Sequence, residues 1–116
     1  MFVGSRGFYK NFRKTVVAFH ESGVWKNGVK LVCTGNHFSD EEKIFLEKLN
    51  IEKNVISVGR VEREYLYKLY SSAIALLYTS SYEGFGIPLL EAMYNECPVI
   101  TSDASSMPEI LGGAGI

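Results

Sequence analysis

Short apolar runs alternate along this chain with segments whose apolar residues recur at helical spacing. The first helical pattern contains Phe12, Val16 and Phe19, which fall on one face of a helix. Strands that alternate with helices are typical of βαβ units, in which parallel strands form one sheet and helices cover its faces. The chain is therefore predicted to fold as a three-layer α/β domain with a mostly parallel sheet. We predict strands near residues 1–4, 30–34, 55–58, 74–79 and 98–101.

This topology brings the loops that follow the strands to one edge of the sheet, because parallel strands all end on the same side. Residues far apart in sequence are therefore expected to meet at this edge, which we call the rim. The loops predicted to form the rim are residues 4–10, 35–39, 59–62, 80–86 and 102–106.

The loop after the fourth predicted strand reads Ser-Ser-Tyr-Glu-Gly-Phe-Gly-Ile-Pro over residues 80–88. Gly84 and Gly86 allow a sharp turn and a close approach of the backbone to a ligand. Pro88 is tolerated in the first turn of the helix that follows, where its missing N–H would be unpaired anyway. The free N–H groups of that turn and the helix dipole suit an anionic group such as a diphosphate.

Two carboxylates bracket this loop, Glu83 before it and Glu91 about one turn into the predicted helix. Carboxylates beside a phosphate site are poorly placed to bind the phosphates, but they accept hydrogen bonds well from sugar hydroxyls. The combination indicates a site for a nucleotide that carries a sugar.

The seven residues between Glu83 and Glu91 make this segment similar to the Glu-x7-Glu motif of retaining glycosyltransferases of GT-B architecture, in particular family 4 (glycosyl transferases group 1). Residues 2–6 with 10–11, residues 58–61, and residues 98–103 with 105–109 resemble further segments of that family, in the same order. The resemblance implies a Rossmann-like domain that is one half of a GT-B fold. Residues 1–116 would form the C-terminal, nucleotide-sugar-binding domain of such an enzyme.

The resemblance implies three catalytic residues, all in rim loops. Arg6 and Lys10 lie four residues apart after the first strand, and the matching family residues hold the donor diphosphate. An arginine would act as a planar fork and a lysine as a point charge. The family residue that matches Glu83 holds hydroxyls of the transferred sugar near the reacting carbon.

Six further residues are predicted to bind the donor. The backbone amides of Phe85, Gly86 and Ile87 would contact sugar and phosphate oxygens. Glu91 would hold ribose hydroxyls, and Arg60 and Val61 would line the nucleobase pocket. An arginine at a strand end is equally often simply solvated, so that assignment stays open. The predicted residues are Phe85, Gly86, Ile87, Glu91, Arg60 and Val61.

The predicted function is the donor-binding part of a glycosyltransferase that moves a sugar from a nucleoside-diphosphate sugar to a glycan, a lipid or another acceptor, as in polysaccharide biosynthesis. No cofactor or metal ion is expected, and no Asp-x-Asp pair occurs. The chain looks truncated at both ends, with a further strand beginning within residues 112–116. A missing N-terminal domain would carry the acceptor site, so the isolated chain is expected to be inactive.

Other functional classes are left open or disfavoured. The alternative is a non-catalytic module that binds a nucleotide or a sugar nucleotide. A dinucleotide oxidoreductase is disfavoured, because no Gly-x-Gly-x-x-Gly follows the first strand. The net charge of −1 argues against a nucleic-acid surface, which would need a basic excess.

The cysteines and the hydropathy favour a cytoplasmic protein. Cys33 and Cys97 are interpreted as reduced, structural thiols. No segment reaches the roughly 18 apolar residues of a membrane span and no signal peptide is visible, while peripheral membrane association of the full-length enzyme stays open.

Glu96 departs from the family pattern, because it occupies a turn position where the family usually has glycine. If that position requires a positive φ, a glutamate there would be strained.

Overall fold

The computed structural model describes residues 1–113 and contains five α-helices and four β-strands. The strand expected to begin within residues 112–116 falls mostly on residues 114–116, outside the described part. The helices are α1 Phe12–Ser22, α2 Asp40–Lys48, α3 Arg63–Ser72, α4 Ile87–Tyr94 and α5 Met107–Leu111. The strands are β1 Leu31–Thr34, β2 Val55–Gly59, β3 Leu76–Tyr78 and β4 Val99–Thr101.

All observed strand pairings are parallel, and the N-terminal residues join the two halves of the sheet. β1 pairs with β2, and β3 pairs with β4. Between the two pairs lies the segment 1–3, which makes one parallel bridge from Phe2 to Cys33. On its other side the Leu77 amide donates to the Met1 carbonyl at 2.8 Å. The spatial order is therefore β2, β1, segment 1–3, β3 and β4.

Helices cover both faces of this sheet, as the predicted three-layer fold requires. On one face, α1 and α2 pack over Phe2, Leu31, Cys33 and Val55. On the other face, α3, α4 and α5 pack over residues that include Met1 and Val3, Leu76 and Tyr78, and Val99. Met1 and Val3 face one side while Phe2 faces the other, because side chains alternate along an extended segment.

Four of the five predicted strands are observed within two residues of their predicted bounds, whereas the predicted strand 1–4 is observed only as segment 1–3 with its single bridge at Phe2. Gly4 ends it with a φ of 97°. A Cβ on Gly35 would lie 2.5 Å from the Gly4 carbonyl oxygen, so the two backbones approach too closely for a side chain. The first two rim loops therefore begin with their backbones in close contact.

Two helix ends follow from the local sequence, and one of them confirms the positive φ considered for Glu96. Ser39 caps α2, with its hydroxyl accepting from the Glu42 amide at 3.2 Å. Glu96, after α4, has a φ of 56°, in the left-handed region that a glutamate occupies only with strain. The turn therefore carries a backbone cost that glycine would avoid.

Both cysteines are free thiols and both are buried, which agrees with a structural role. Burial raises the pKa of the Cys33 thiol to about 12, so the thiol stays protonated and unreactive at neutral pH. Among residues 1–113, no helix has the length and apolar character needed to cross a bilayer.

Candidate functional site

The central position of segment 1–3 creates a crevice at the rim. From this segment the chain continues to β1 on one side, while β3 lies on the other side, so the strand order reverses direction here. Open α/β sheets bind their ligands outside the carboxyl ends of the strands at such a switch point. The loops beside this crevice follow segment 1–3 and β3, and they contain Lys10 and Glu83.

Lys10 and Glu83 form an ion pair across the crevice. The Lys10 Nζ donates to Glu83 Oε1, and the Ser80 hydroxyl donates to the same oxygen at 2.8 Å. The side chains of Lys10 and Glu83 are only 11% and 13% exposed. The Tyr78 ring lies 5.2 Å from Nζ, close enough for a cation–π contact. The structure thus brings together two of the three predicted catalytic residues.

This surrounding keeps Glu83 ionised. Burial alone would raise its pKa, but hydrogen bonds from Lys10 and Ser80 and the lysine charge lower the pKa below its usual value. The neighbouring Tyr78 shows the opposite effect, because burial and the negative charge of Glu83 raise the pKa of its phenol. The Tyr78 hydroxyl is buried beside the Glu83 carboxylate.

The N-terminus of α4 is open toward the same loop. Gly86 occupies the cap position with a φ of 72°, no side chain caps the helix, and no acid lies in its first turn. Within residues 1–113, no acceptor pairs with the amides of Phe85, Gly86 or Ile87. These amides and the helix dipole form a suitable environment for an anion.

The two glycines of this loop differ in what they require. A Cβ on Gly86 would approach the Ile110 Cδ1 atom to 3.1 Å at a positive φ, so glycine is needed there. Gly84 has no positive φ and an added Cβ would meet open space, so neither its backbone conformation nor a neighbouring residue requires glycine there. The side chains of Phe85 and Ile87 are 65% and 59% exposed and border the loop with apolar surface.

Arg6 lies apart from the Lys10–Glu83 pair and is used by the N-terminus of α2. Its Nε and Nη2 donate to the Glu42 carboxylate at 2.8 and 3.1 Å, and Nη2 also donates to the His37 carbonyl at 3.1 Å. The rings of Phe12 and Phe38 lie 5.4 and 5.1 Å from its guanidinium carbon. Of the three guanidinium nitrogens of Arg6, Nη1 alone is buried without a partner among residues 1–113.

Glu91 lies on α4 and faces α3. Its Oε2 accepts a hydrogen bond from the hydroxyl of the buried Tyr70 at 3.0 Å. The two glutamates of the motif are thus held by different partners, Glu83 by a cation and Glu91 by a phenol.

Arg60 and Val61 follow β2 at the side of the rim away from the ion pair. The exposed Arg60 donates from Nε to the Asn36 side chain at 3.1 Å, and Val61 is half-buried. Beneath them the Ser57 hydroxyl and His37 Nδ1 lie 3.2 Å apart. The terminal nitrogens of Arg60 remain available to a ligand.

Several residues that hold the site together were missed by the sequence reasoning. Asn11 joins the two crevice loops, since its side-chain amide donates to the Thr79 carbonyl and the Ser81 hydroxyl, both at 2.8 Å. Ser105 and Ser106 both donate to the Glu83 carbonyl. Glu42, the partner of Arg6, is the one residue of this group whose position the sequence indicates, through the Ser-x-x-Glu capping pattern that begins at Ser39. In the described part of the chain, no cluster of His, Cys, Asp and Glu could hold a metal ion.

A sequence model of the family described as glycosyl transferases group 1 matches residues 1–115. The chain belongs to this family of GT-B glycosyltransferases. The O-antigen chain mannosyltransferase RfbU of Salmonella typhimurium is 33% identical over 94% of this chain and 31% of its own length. O-antigen chain mannosyltransferase B of Escherichia coli is 48% identical over 51% of this chain and 16% of its own length. The chain thus spans about a third or less of each of these relatives.

Solved glycosyltransferase structures share the fold. The chain matches WaaG, a glycosyltransferase involved in lipopolysaccharide biosynthesis, with a TM-score of 0.78 and 23% identity, over 96% of this chain and 30% of that one. It also matches the S. aureus TarM G117R mutant, solved with UDP and other ligands, with a TM-score of 0.78 and 26% identity, over 95% of this chain and 23% of that one. Residues 1–113 are therefore a Rossmann-like half domain of the GT-B type.

Proposed function

We propose that this chain is the donor-binding domain of a retaining family 4 glycosyltransferase that uses a nucleoside-diphosphate sugar. The observation that carries the proposal is the Lys10–Glu83 ion pair at the switch point, next to the open N-terminus of α4. A cation and free amides suit a diphosphate, and an ionised carboxylate beside them suits sugar hydroxyls. The retaining course of the reaction rests on the Glu-x7-Glu resemblance.

The diphosphate would lie against the amides of residues 85–87 and the Lys10 ammonium. Lysine has three N–H donors, and Lys10 donates one to a glutamate here, so others remain for phosphate oxygens. Negative charge grows on the departing diphosphate as the glycosidic bond breaks. Donors that are already in place stabilise this charge without reorganisation during the reaction.

Glu83 would hold the transferred sugar. Its Oε1 accepts from Lys10 and Ser80, which leaves Oε2 to accept sugar hydroxyls. Glu91 would accept from the ribose, since Tyr70 contacts its Oε2 and Oε1 remains. Arg6 would reach a phosphate oxygen only through Nη1, because Glu42 and His37 accept from its other nitrogens.

The names of the relatives support mannose as the transferred sugar, and O-antigen polysaccharide as a setting for the reaction. Arg60 and Val61 would border the nucleobase. The acceptor would bind to a second domain of the whole protein, and the isolated chain would bind the donor but transfer no sugar. The reaction would need no metal ion and would take place in the cytoplasm.

Calorimetry on the whole protein tests the proposal. The ligands are guanosine, uridine and adenosine diphosphate, each as the plain diphosphate and as the nucleoside-diphosphate mannose. The unmodified protein should bind one base preferentially. Glu83→Gln should weaken binding of the sugar nucleotide and spare the plain diphosphate, whereas Glu91→Gln should weaken both. Glu64→Gln, an exposed acid on α3, is the matched control. Absence of binding by every nucleotide would contradict the proposal, and equal losses for both variants would contradict the separate roles.

A further inference from the structure

The main-chain carbonyl of Glu83 accepts hydrogen bonds from two hydroxyl groups in the loop that follows β4. Ser105 Oγ donates at 2.9 Å and Ser106 Oγ at 3.1 Å. A carbonyl oxygen has two lone pairs, so both hydroxyls can be satisfied at once. Two hydrogen bonds from one loop fix the orientation of the peptide group that follows Glu83.

The same two loops are joined at Ser80. The Ser102 hydroxyl donates to the Ser80 carbonyl, while the hydroxyl of Ser80, which is 1% exposed, donates to the Glu83 carboxylate at 2.8 Å. The loop after β4 therefore holds the segment 80–83 at both ends. The Glu83 side chain is oriented by Ser80 and Lys10, and its backbone by the two serines.

Ser105 makes its contact from an unfavourable backbone conformation. Its φ is 55°, in a region that is unfavourable for most residues and that glycine occupies freely. Two other positive-φ residues, Asn11 and Asn50, are asparagines, which tolerate this region. A serine in this conformation is explained by what its hydroxyl does, because strained residues cluster where a contact is functional.

We propose that Ser105 and Ser106 are positioning residues that set the location of the Glu83 carboxylate for recognition of the transferred sugar. The proposal rests on the proposed role of Glu83 and extends it to a loop with no assigned role. Without the two hydroxyls, the Cα of Glu83 is free to shift, and its carboxylate loosens from Lys10 and Ser80. Such a shift misaligns a carboxylate that must accept hydrogen bonds from specific sugar hydroxyls.

The experiment uses Ser106→Ala, Ser105→Gly and the double variant in the whole protein. Ser105→Gly removes the hydroxyl and keeps the positive φ accessible, so a loss cannot come from backbone strain. The measured quantity is the Kd for the sugar nucleotide divided by the Kd for the plain diphosphate. The control is Ser71→Ala, because the exposed Ser71 hydroxyl donates to a carbonyl within α3.

The double variant should raise this ratio roughly tenfold, the size of effect known for removing the outer partners of metal ligands. In a Glu83→Gln background, the same serine substitutions should leave the ratio unchanged, because the contact that they position is already lost. A merely structural role would lower the melting temperature in both backgrounds without changing the ratio. If the serine substitutions leave the ratio unchanged in the protein that retains Glu83, the proposal is overturned.

Failure of the proposed function is distinguishable from failure of this inference. If the protein binds no nucleotide, the pKa of the Glu83 carboxyl measured by NMR decides. Displacement of Glu83 loosens its contacts with Lys10 and Ser80, so its pKa should rise toward the ordinary value in the double variant. A pKa equal to that of the unmodified protein would overturn the positioning role.

Discussion

The N-termini of α2 and α4 lie in two loops of the same rim, and their surroundings are opposite. The α2 end is filled, since Ser39 and Glu42 cap each other and three acids lie in the first turn. The α4 end begins at Gly86, without a side-chain cap or an acid. One helix end is thus satisfied by its own residues, while the other keeps donors for a ligand.

The two cations of the first rim loop follow this division. Arg6 binds Glu42 at the filled end, and Lys10 binds Glu83 near the open end. They lie four residues apart and look equivalent in sequence. From these different partners we propose different roles, in which Arg6 mainly holds the loop to α2 and Lys10 binds a diphosphate.

The largest effect is expected for Arg6→Ala. The change leaves the Glu42 carboxylate unpaired and removes packing between two phenyl rings, which should lower the free energy of unfolding by about 3 kcal/mol. Arg60→Ala, which removes an exposed arginine with one hydrogen bond, should change it by less than about 0.5 kcal/mol. Urea denaturation of both variants provides the measurement. Equal, small changes would show that Arg6 is not part of the scaffold.

Lys10→Met should affect ligand binding more than stability, the opposite of Arg6→Ala. Loss of the charge-assisted hydrogen bonds should weaken binding of a nucleoside diphosphate by about 1–3 kcal/mol. Adding Glu83→Gln should restore part of the stability, since no unpaired charge is left, but should not restore binding. Calorimetry measures diphosphate binding, and melting curves measure stability, in the single and double variants. Recovery of diphosphate binding in the double variant would show that Lys10 acts only by neutralising Glu83.

Both ends should respond to acid. The pKa of Glu42 is lowered in the folded chain, where hydrogen bonds from Arg6 and Ser39 outweigh burial, and the pKa of Glu83 is lowered as well. A lowered pKa contributes stability that is present above the unfolded value, about pH 4.3, and is lost as the pH falls through the folded value.

Unfolding free energies measured from pH 6 to pH 2 should therefore decrease less steeply in Glu42→Gln and in Glu83→Gln than in the unmodified protein. The control is Ser71→Ala, which removes no ionisable group and should keep the original slope. A variant with an unchanged slope would identify a carboxylate whose partners do not stabilise the fold.

Ser39→Ala should have a smaller effect, confined to the filled end. Loss of the cap should lower the free energy of unfolding by about 1 kcal/mol and leave diphosphate affinity unchanged. Denaturation and calorimetry on one preparation make the comparison. Weaker diphosphate binding in this variant would mean that the two helix ends are coupled.

The smallest expected change is a gain of stability away from the rim. Glu96→Gly should raise the free energy of unfolding by about 0.5–1 kcal/mol, because glycine adopts the positive φ without strain. Asn50→Gly, at a φ of 55°, is the control and should change little, since asparagine already tolerates this region. A loss of stability in Glu96→Gly would mean that the glutamate side chain contributes more than its backbone costs.

The extent of successful prediction follows the range of the interactions. Helical spacing and apolar runs act locally, so four strands, the Ser39 cap and the strained Glu96 turn could be predicted from sequence. Partner choice is not local, because Lys10 meets a carboxylate 73 residues away and Arg6 one that is 36 residues away. Nothing in the pattern of residues distinguishes the two cations. The serines that contact the Glu83 carbonyl were equally invisible, since their role depends on two loops meeting.

The central place of segment 1–3 has a consequence for how the chain folds. Its hydrogen bonds join residues that are distant in sequence, for example the Met1 amine and the Ala75 carbonyl, 74 residues apart. Such pairings form only after the entropy of closing long loops has been overcome, which slows folding. Helices on either side can form earlier, but the two halves of the sheet become one only when this segment enters. The Phe2 amide, bonded to the Val32 carbonyl at 2.8 Å, should accordingly exchange its hydrogen only on global unfolding.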